Sequence, residues 1–420
     1  MNFTKQPSCA DDQDIGVLRV EQALAQMYAA LRPLTETEYV PLRQALGRVL
    51  AQVIVCPINV PSHTNAAMDG YALRGADLPA EGSVTLRQIG VAWAGRPFAD
   101  TVPAGQCVRI MTGACLPDGT DTVVMQENVR VDGDWIQISA QERPGQNVRH
   151  AGEDLACGEP VLSAGRLILP PELGLLASLG IVEVKVIRRL RVAFFSTGDE
   201  LRSLGEFLQE GQIYDSNRYT IYGMLMRAGV EVIDMGVVRD DRAILTDAVQ
   251  QAASHADVLI TSGGVSVGEA DFTKAVLSEL GNIAFWKIAM KPGRPLAFGQ
   301  VKNMAFLGLP GNPVAVMVTF YQFVLPLLRY LQGEINPLIT PTIQAKSLFT
   351  FKKKPGRSEF PRGFLSQDET GQWCVEISHQ QGSGILRSMS EGNCFILLPE
   401  TQGTVAAGDW VTVQPFSGLL

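Results

Sequence analysis

The residues best suited to chemistry are carboxylates, hydroxyls and glycines placed directly after short apolar runs. In Ala256-Asp-Val-Leu-Ile-Thr-Ser-Gly-Gly-Val-Ser-Val-Gly-Glu-Ala-Asp271, residues 257–261 have the β-branched apolar character of a buried parallel strand. The run stops at Ser262-Gly263-Gly264, where missing Cβ atoms let backbone approach a ligand. Ser266, Gly268, Glu269 and Asp271 follow at once, so N–H groups, a hydroxyl and carboxylates converge on one strand end. That mixture suits a phosphate held together with a metal ion. The same residues also read as a tight turn and a helix cap before 272–280, so other segments must decide. Neither G-x-G-x-x-G nor a P-loop ending in Gly-Lys-Ser/Thr occurs in this stretch.

Two further strand-like runs end the same way. Arg191-Val-Ala-Phe-Phe195 leads to Ser196-Thr-Gly-Asp-Glu200, and Glu231-Val-Ile-Asp-Met235 leads toward Asp240 and Asp241. Helical patterns at 217–228 and 242–254 separate these strands, and strand alternating with helix implies a parallel sheet with covered faces. Ligands in such sheets sit at the carboxyl ends of the strands. Three acidic loops are therefore expected on one edge, and oxygen ligands without a Cys or His cluster favour Mg²⁺ over zinc. Lys287, Lys291 and Arg294 follow in a stretch stiffened by Trp286, Pro292 and Pro295 and can offset an anion there. Gly311 and Asn312 then precede an apolar helix over 316–331 and offer N–H groups to the same anion.

The rest of the chain must position these loops. Residues 15–31 repeat apolar positions at helical spacing, a second helix is expected over 42–51, and helical patterning resumes at 171–179. Between these, 84–138 alternates β-branched runs with Pro and Gly turns, which reads as a small β domain inserted into the flanking one. The loop Pro61-Ser-His-Thr-Asn-Ala-Ala-Met-Asp-Gly-Tyr-Ala72, the turn Thr112-Gly-Ala114 and the loop Arg149-His-Ala-Gly-Glu-Asp154 carry small and polar residues able to meet a ligand, although an Asp-Gly turn alone explains the first. Beyond Asn336-Pro337, short strands continue to the end as a β-barrel or sandwich, with a basic cluster at 352–362.

Composition bounds the partners. With 35 Lys plus Arg against 43 Asp plus Glu, the net charge of -8 argues against broad nucleic-acid or membrane-surface binding. The seven cysteines are scattered and never spaced C-x-x-C, as expected of reduced thiols rather than a disulfide or zinc framework. Residues 1–15 lack the pattern of a signal peptide and no uninterrupted apolar span appears, so the expected location is cytoplasmic.

Taken together, these segments resemble the molybdopterin molybdenumtransferases, the MoeA family that includes the E domain of gephyrin. The likeness rests on Asn65-Ala-Ala-Met-Asp-Gly-Tyr-Ala72, Arg109-Ile-Met-Thr-Gly-Ala114, Phe195-Ser-Thr-Gly-Asp-Glu200, residues 262–271 and Gly308-Leu-Pro-Gly-Asn-Pro313, in that order. It implies a helical domain over 15–56 and 148–187, split by a β-rich insertion at 57–147, then an α/β domain over 188–336 and a C-terminal β-barrel over 337–420. It also implies a homodimer that takes adenylylated molybdopterin and molybdate and inserts molybdenum with Mg²⁺-dependent release of AMP. A molybdopterin adenylyltransferase and other cofactor-pathway proteins are then the expected partners.

By the same resemblance, Asp69, Thr112 and Asp154 belong to one half of the cleft. Glu200, Asp240 and Asp271 form its acidic, metal-holding cluster, and Lys287 and Lys291 its cationic strand. Gly263, Gly264, Ser266, Arg294, Pro310, Pro313, Arg362 and Ser383 complete the substrate contacts. Thr64, Ala66, Arg294 and Ala315 stand where the family often has Asp, Ser, Lys and Ser. No serine or cysteine has an evident base partner, so the thiolates must come from the substrate. The rival expectations are a scaffold or carrier without turnover, and a nucleotide-sugar or dinucleotide enzyme, the latter disfavoured by the missing fingerprint.

Overall fold

A computed structural model describes residues 17–264, 272–335 and 341–416. Ser266, Gly268, Glu269, Asp271 and the turn at Asn336-Pro337 lie outside the described residues.

The α/β unit is a six-stranded sheet in the order Glu231–Val238, Arg191–Thr197, Val258–Ser262, Met304–Leu309, Pro295–Val301, Asn282–Lys287. The first four run parallel, three of them as the apolar runs 191–195, 231–235 and 257–261 predict, whereas the sequence reading has no strand at Met304–Leu309. The last two extend the sheet antiparallel, in the stretch that the sequence reads as a stiff loop. Successive residues of Arg191–Thr197 alternate between two cores, because side chains of a strand point to opposite faces. Val192 and Phe194 pack with helices Ser216–Arg227 and Pro313–Thr319, while Ala193 and Phe195 pack with helices Arg242–His255 and Phe272–Leu280.

The apolar stripe of helix Val20–Ala30 does not join the N-terminal domain. Val20, Ala23 and Met27 are buried in the core of the α/β unit, and Leu34 N–H bonds to Leu331 O at 2.8 Å. The N-terminal domain proper draws its core from both flanks of the insertion, Val40, Leu50 and Ile54 meeting Ile168, Leu176 and Val186. The helix expected over 42–51 is instead a single 3₁₀ turn, Leu42–Gln44. Gly47 at φ +73° ends it, and Val49 and Leu50 bridge to Leu167 and Val186 as extended chain.

The insertion is a six-stranded sheet, Thr122–Met125, Gly70–Leu73, Gln106–Ile110, Ser83–Ala92, Trp135–Ser139, Val129–Asp132, packed on both faces. The C-terminal domain is a closed five-stranded barrel of Ile343–Ser347, Trp373–Ile377, Arg362–Gln367, Cys394–Leu397 and Trp410–Pro415. Among the described residues one helix, Pro313–Leu331, is long and apolar enough to cross a membrane, and 67% of it is buried inside the protein.

Candidate active site at the sheet edge

The registers fix where the chemistry-bearing loops leave the sheet. Thr197 pairs with Val238, Ser196 with Ser262, and Ser262 with Leu309, so four parallel strands end together. Their next residues are Gly198-Asp199-Glu200, Arg239-Asp240-Asp241, Gly263-Gly264 and Pro310-Gly311-Asn312-Pro313. The antiparallel pair returns to the same edge, because Lys287 lies opposite Pro295 and Arg294 precedes it. The structure therefore gathers two of the three expected acidic loops, the glycine turn, the proline loop, Lys287 and Arg294 at one place.

Gly263 makes the close approach of these strand ends possible. Its φ is +91°, its N–H donates to Leu309 O at 3.2 Å, and a Cβ there would stand 2.4 Å from Thr197 O. Only glycine fits that conformation beside that carbonyl. Gly264 at φ +66° continues the turn.

Unpaired polar atoms concentrate at this edge. Ser196 Oγ, Thr197 Oγ1, Thr261 Oγ1, Asp215 Oδ2, Asn217 Oδ1 and Asp240 Oδ1 are buried without a hydrogen-bond partner among the described residues. Leaving such an atom unpaired costs about 1–3 kcal/mol each. Polar atoms open at the carboxyl ends of parallel strands are available to a polar ligand there.

The carboxylates test the expected cation. Burial, and then the nearby charge of Asp199, push the Asp240 carboxyl above its ordinary range. Asp240, one oxygen of which has no donor among the described residues, and the exposed Asp199 near it offer hard oxygens of the kind that Mg²⁺ takes. The neighbour is Asp199, whereas the exposed Glu200 folds back so that a Cβ on Gly198 would lie 2.6 Å from its Oε2. Among the described residues no group of three ligating side chains converges, and Asp271, the expected third, lies outside them.

Lys287 and Arg294 are half-buried and each is engaged by other groups of the protein. Lys291 is exposed, but its backbone is fixed: Met290–Lys291 pairs with Ser358–Glu359, and Phe360 N–H donates to Lys291 O at 3.0 Å. The cationic stretch is thereby fastened to the C-terminal barrel.

A second group forms on the inserted domain. Thr112 donates to Asp69 Oδ1 through its backbone N–H at 2.7 Å and its hydroxyl at 2.6 Å. These bonds, the hydroxyl's first, hold the Asp69 carboxyl below the usual range. Ala66, wholly buried, exchanges backbone bonds with the 113–114 turn. Thr64 Oγ1 accepts from Ala151 N at 3.4 Å, so it spans to the loop carrying the exposed Asp154, whose N–H reaches Val60 O at 3.1 Å.

Thr112→Val is expected to return the Asp69 pKa toward the ordinary carboxylate value, read by NMR titration. A depressed carboxylate contributes stability above its unfolded pKa and loses it as pH falls through the folded one. The variant should accordingly lose less stability on acidification than the parent. An unmoved Asp69 titration would refute the pairing.

The barrel contributes through backbone. Arg362 is 1% exposed, and its guanidinium donates to Ser388 Oγ at 3.1 Å, Gln380 O at 3.0 Å and Gly382 O at 3.1 Å. Burial pushes it down to about 10. Its bonds set the 380–382 loop, and the next residue, Ser383, accepts through its carbonyl from Val314 N at 3.0 Å. Ser383 thus meets the helix that follows Pro310 and Pro313, where buried Ala315 packs. Arg362 shapes this corner from within the barrel rather than from its surface.

Asp215 and Asn217 are the residues of this edge that sequence reasoning missed, whereas Asp199 was expected there as part of the first acidic loop. Asp215-Ser-Asn217 at a helix start was a legible cap signal, but the reach of Asn217 to two other loops is tertiary.

The chain matches three family models in order: "MoeA N-terminal region (domain I and II)" over residues 18–180, "Probable molybdopterin binding domain" over 193–330, and "MoeA C-terminal region (domain IV)" over 344–416. It is 49% identical over 405 residues to the molybdopterin molybdenumtransferase of Haemophilus influenzae, covering 96% of this chain and 100% of that protein. The molybdopterin molybdenumtransferase of a Nostoc species is 35% identical, with 98% and 94% covered. A crystal structure of the molybdopterin biosynthesis moeA protein of Pyrococcus horikoshii superposes with a TM-score of 0.83 at 29% identity, covering 95% of this chain and 100% of that one. With the split domain, the sheet-edge site and the C-terminal barrel in place, this chain belongs to the MoeA family of molybdopterin molybdenumtransferases.

Proposed function

We propose that this chain inserts molybdenum into molybdopterin: it takes adenylylated molybdopterin and molybdate, cleaves the adenylate and releases AMP. The observation that carries the reading is Asp240, with an oxygen that has no donor among the described residues and with Asp199 on the adjacent loop, set on the same edge as the Gly263–Gly264 turn, Lys287 and Arg294. The names of the relatives support the same substrate class.

Asp240 and Asp199, joined by Asp271 and with Glu200 orienting solvent, would hold Mg²⁺, which supplies charge neutralisation at the phosphates and molybdate. The glycine turn and the exposed Gly311 and Asn312 receive phosphate oxygens. Lys287, Lys291 and Arg294 offset the gathered negative charge as the bond to the leaving AMP breaks. Asp69, Thr112 and Asp154 come from the inserted and N-terminal domains, and in a homodimer they close the cleft from the second protomer. The apolar side chains of Phe207, Leu208, Tyr219, Tyr222 and Met226 are exposed on one segment and its adjoining helix and suit such a self-association. The reaction runs in the cytoplasm, downstream of the adenylyltransferase that makes the substrate.

The test is AMP release from adenylylated molybdopterin by purified protein, with and without molybdate and Mg²⁺, followed by reconstitution of a cofactor-free molybdoenzyme. Release that requires both ions and yields active enzyme is expected. Tight binding without release would identify a carrier and remove the transferase reading.

A further inference from the structure

One side chain ties together the two loops that the proposed reaction needs most. Asn217 lies in the first turn of helix Ser216–Arg227, and its Nδ2 donates to Ser262 Oγ at 2.9 Å and to Gly311 O at 2.7 Å. Ser262, 2% exposed, ends the strand that runs into Gly263-Gly264, and Gly311 is the centre of the proline loop. The amide orientation is chemically fixed. The Gly311 carbonyl can only accept, so the nitrogen must face it, and both amide hydrogens are then used. Oδ1 is left buried with no partner among the described residues.

The helix start is itself anchored. Asp215 accepts from Arg218 N at 3.1 Å as the cap, and Arg218 Nε donates to both oxygens of Asp234, at 2.9 and 3.0 Å, on the neighbouring strand. Asn217 therefore acts from a fixed base rather than from a mobile loop.

We infer that Asn217 is a positioning residue of the cleft: its side-chain amide sets the separation between the Gly263–Gly264 turn and the Pro310–Pro313 loop, and so the fit of a phosphate ester between them. The inference rests on the proposed function for the identity of the ligand, not for the existence of the clamp. A displacement of about 1 Å in such a frame costs on the order of a hundredfold in rate.

The experiment compares Asn217→Asp, Asn217→Ala and Ser262→Ala in the full chain. Asn217→Asp keeps the shape but turns an oxygen toward the Gly311 carbonyl, so two acceptors repel. In AMP release it should lower kcat/KM per folded molecule about tenfold or more, mainly through KM, beyond whatever its melting temperature loses. Ser262→Ala keeps the Gly311 bond and should lose less, and its effect should not add to that of Asn217→Ala, because the two share one hydrogen bond. A drop in melting temperature with kcat/KM per folded molecule unchanged would mean a purely structural role and overturn the inference. If Asn217→Ala fails to fold, the other two variants carry the comparison. If the parent protein releases no AMP, the proposed reaction fails on its own, and the clamp is judged by calorimetric binding of AMP. Weaker binding by Asn217→Asp would then sustain it, and equal binding would overturn it.

Discussion

Asp240→Asn should melt at a higher temperature than the parent protein at neutral pH while losing AMP release by about 10²–10³-fold. The two effects share one origin. Burial and the charge of Asp199 raise the Asp240 pKa, so its ionised form costs folding free energy. For a carboxylate raised in the folded state, that cost is present above the folded pKa and disappears as pH falls through it toward the unfolded value near about 3.9. The amide removes the cost at neutral pH and, in the proposed site, removes a cation ligand with it. Mg²⁺ should accordingly stabilise the parent, by about 2.7 kcal/mol at a hundredfold excess over Kd, and leave the variant unmoved. Thermal melts across pH with and without Mg²⁺ decide this, and a variant that still gains stability from Mg²⁺ would place the cation elsewhere.

The second large effect is expected at Arg362. Arg362→Ala strips donors from Gln380 O, Gly382 O and Ser388 Oγ in the barrel interior and leaves a cavity of guanidinium size. The expected cost is about 3–5 kcal/mol, comparable to breaking a buried charged contact. Arg362→Lys should not rescue it, because one ammonium cannot reproduce the planar spread of donors. Below that loss of stability, the folded fraction should also show impaired turnover, since Ser383 no longer meets Val314 N as before. Near-parental melting of Arg362→Ala would contradict the buried network.

The sheet edge was legible in the sequence because its logic is local: an apolar run, a glycine or acidic turn, a helix. Asp240 and Gly263 could be placed at strand ends from that pattern alone, whereas the strand Met304–Leu309 before Pro310 was not read and Pro310 entered only through the family resemblance. What escaped depends on contacts between distant segments. Helix Val20–Ala30 has the stripe of an amphipathic helix, but nothing local tells which core will receive it. Residues 42–51 have apolar spacing compatible with a helix, and pairing with strands from beyond the insertion overrides it. The stretch 282–301 forms an antiparallel hairpin whose partner is Met304–Leu309, so its proline-bounded segments look like loop until that partner is known. Asp215 and Asn217 follow the same rule: each is unremarkable in sequence, and each gains meaning from a neighbour across the edge.

The docking of helix Val20–Ala30 on the α/β core has a further consequence for synthesis. The helix packs beside Tyr330, whose hydroxyl reaches Tyr28 O across 302 positions of sequence. At roughly 5–20 residues per second, about 15–60 s separate the emergence of that helix from the ribosome and the arrival of its partner. During that interval its apolar face has nowhere to go. The helix can dock fully only once the residues around Tyr330 have been made, and a nascent chain of this kind is a natural client for a holding chaperone.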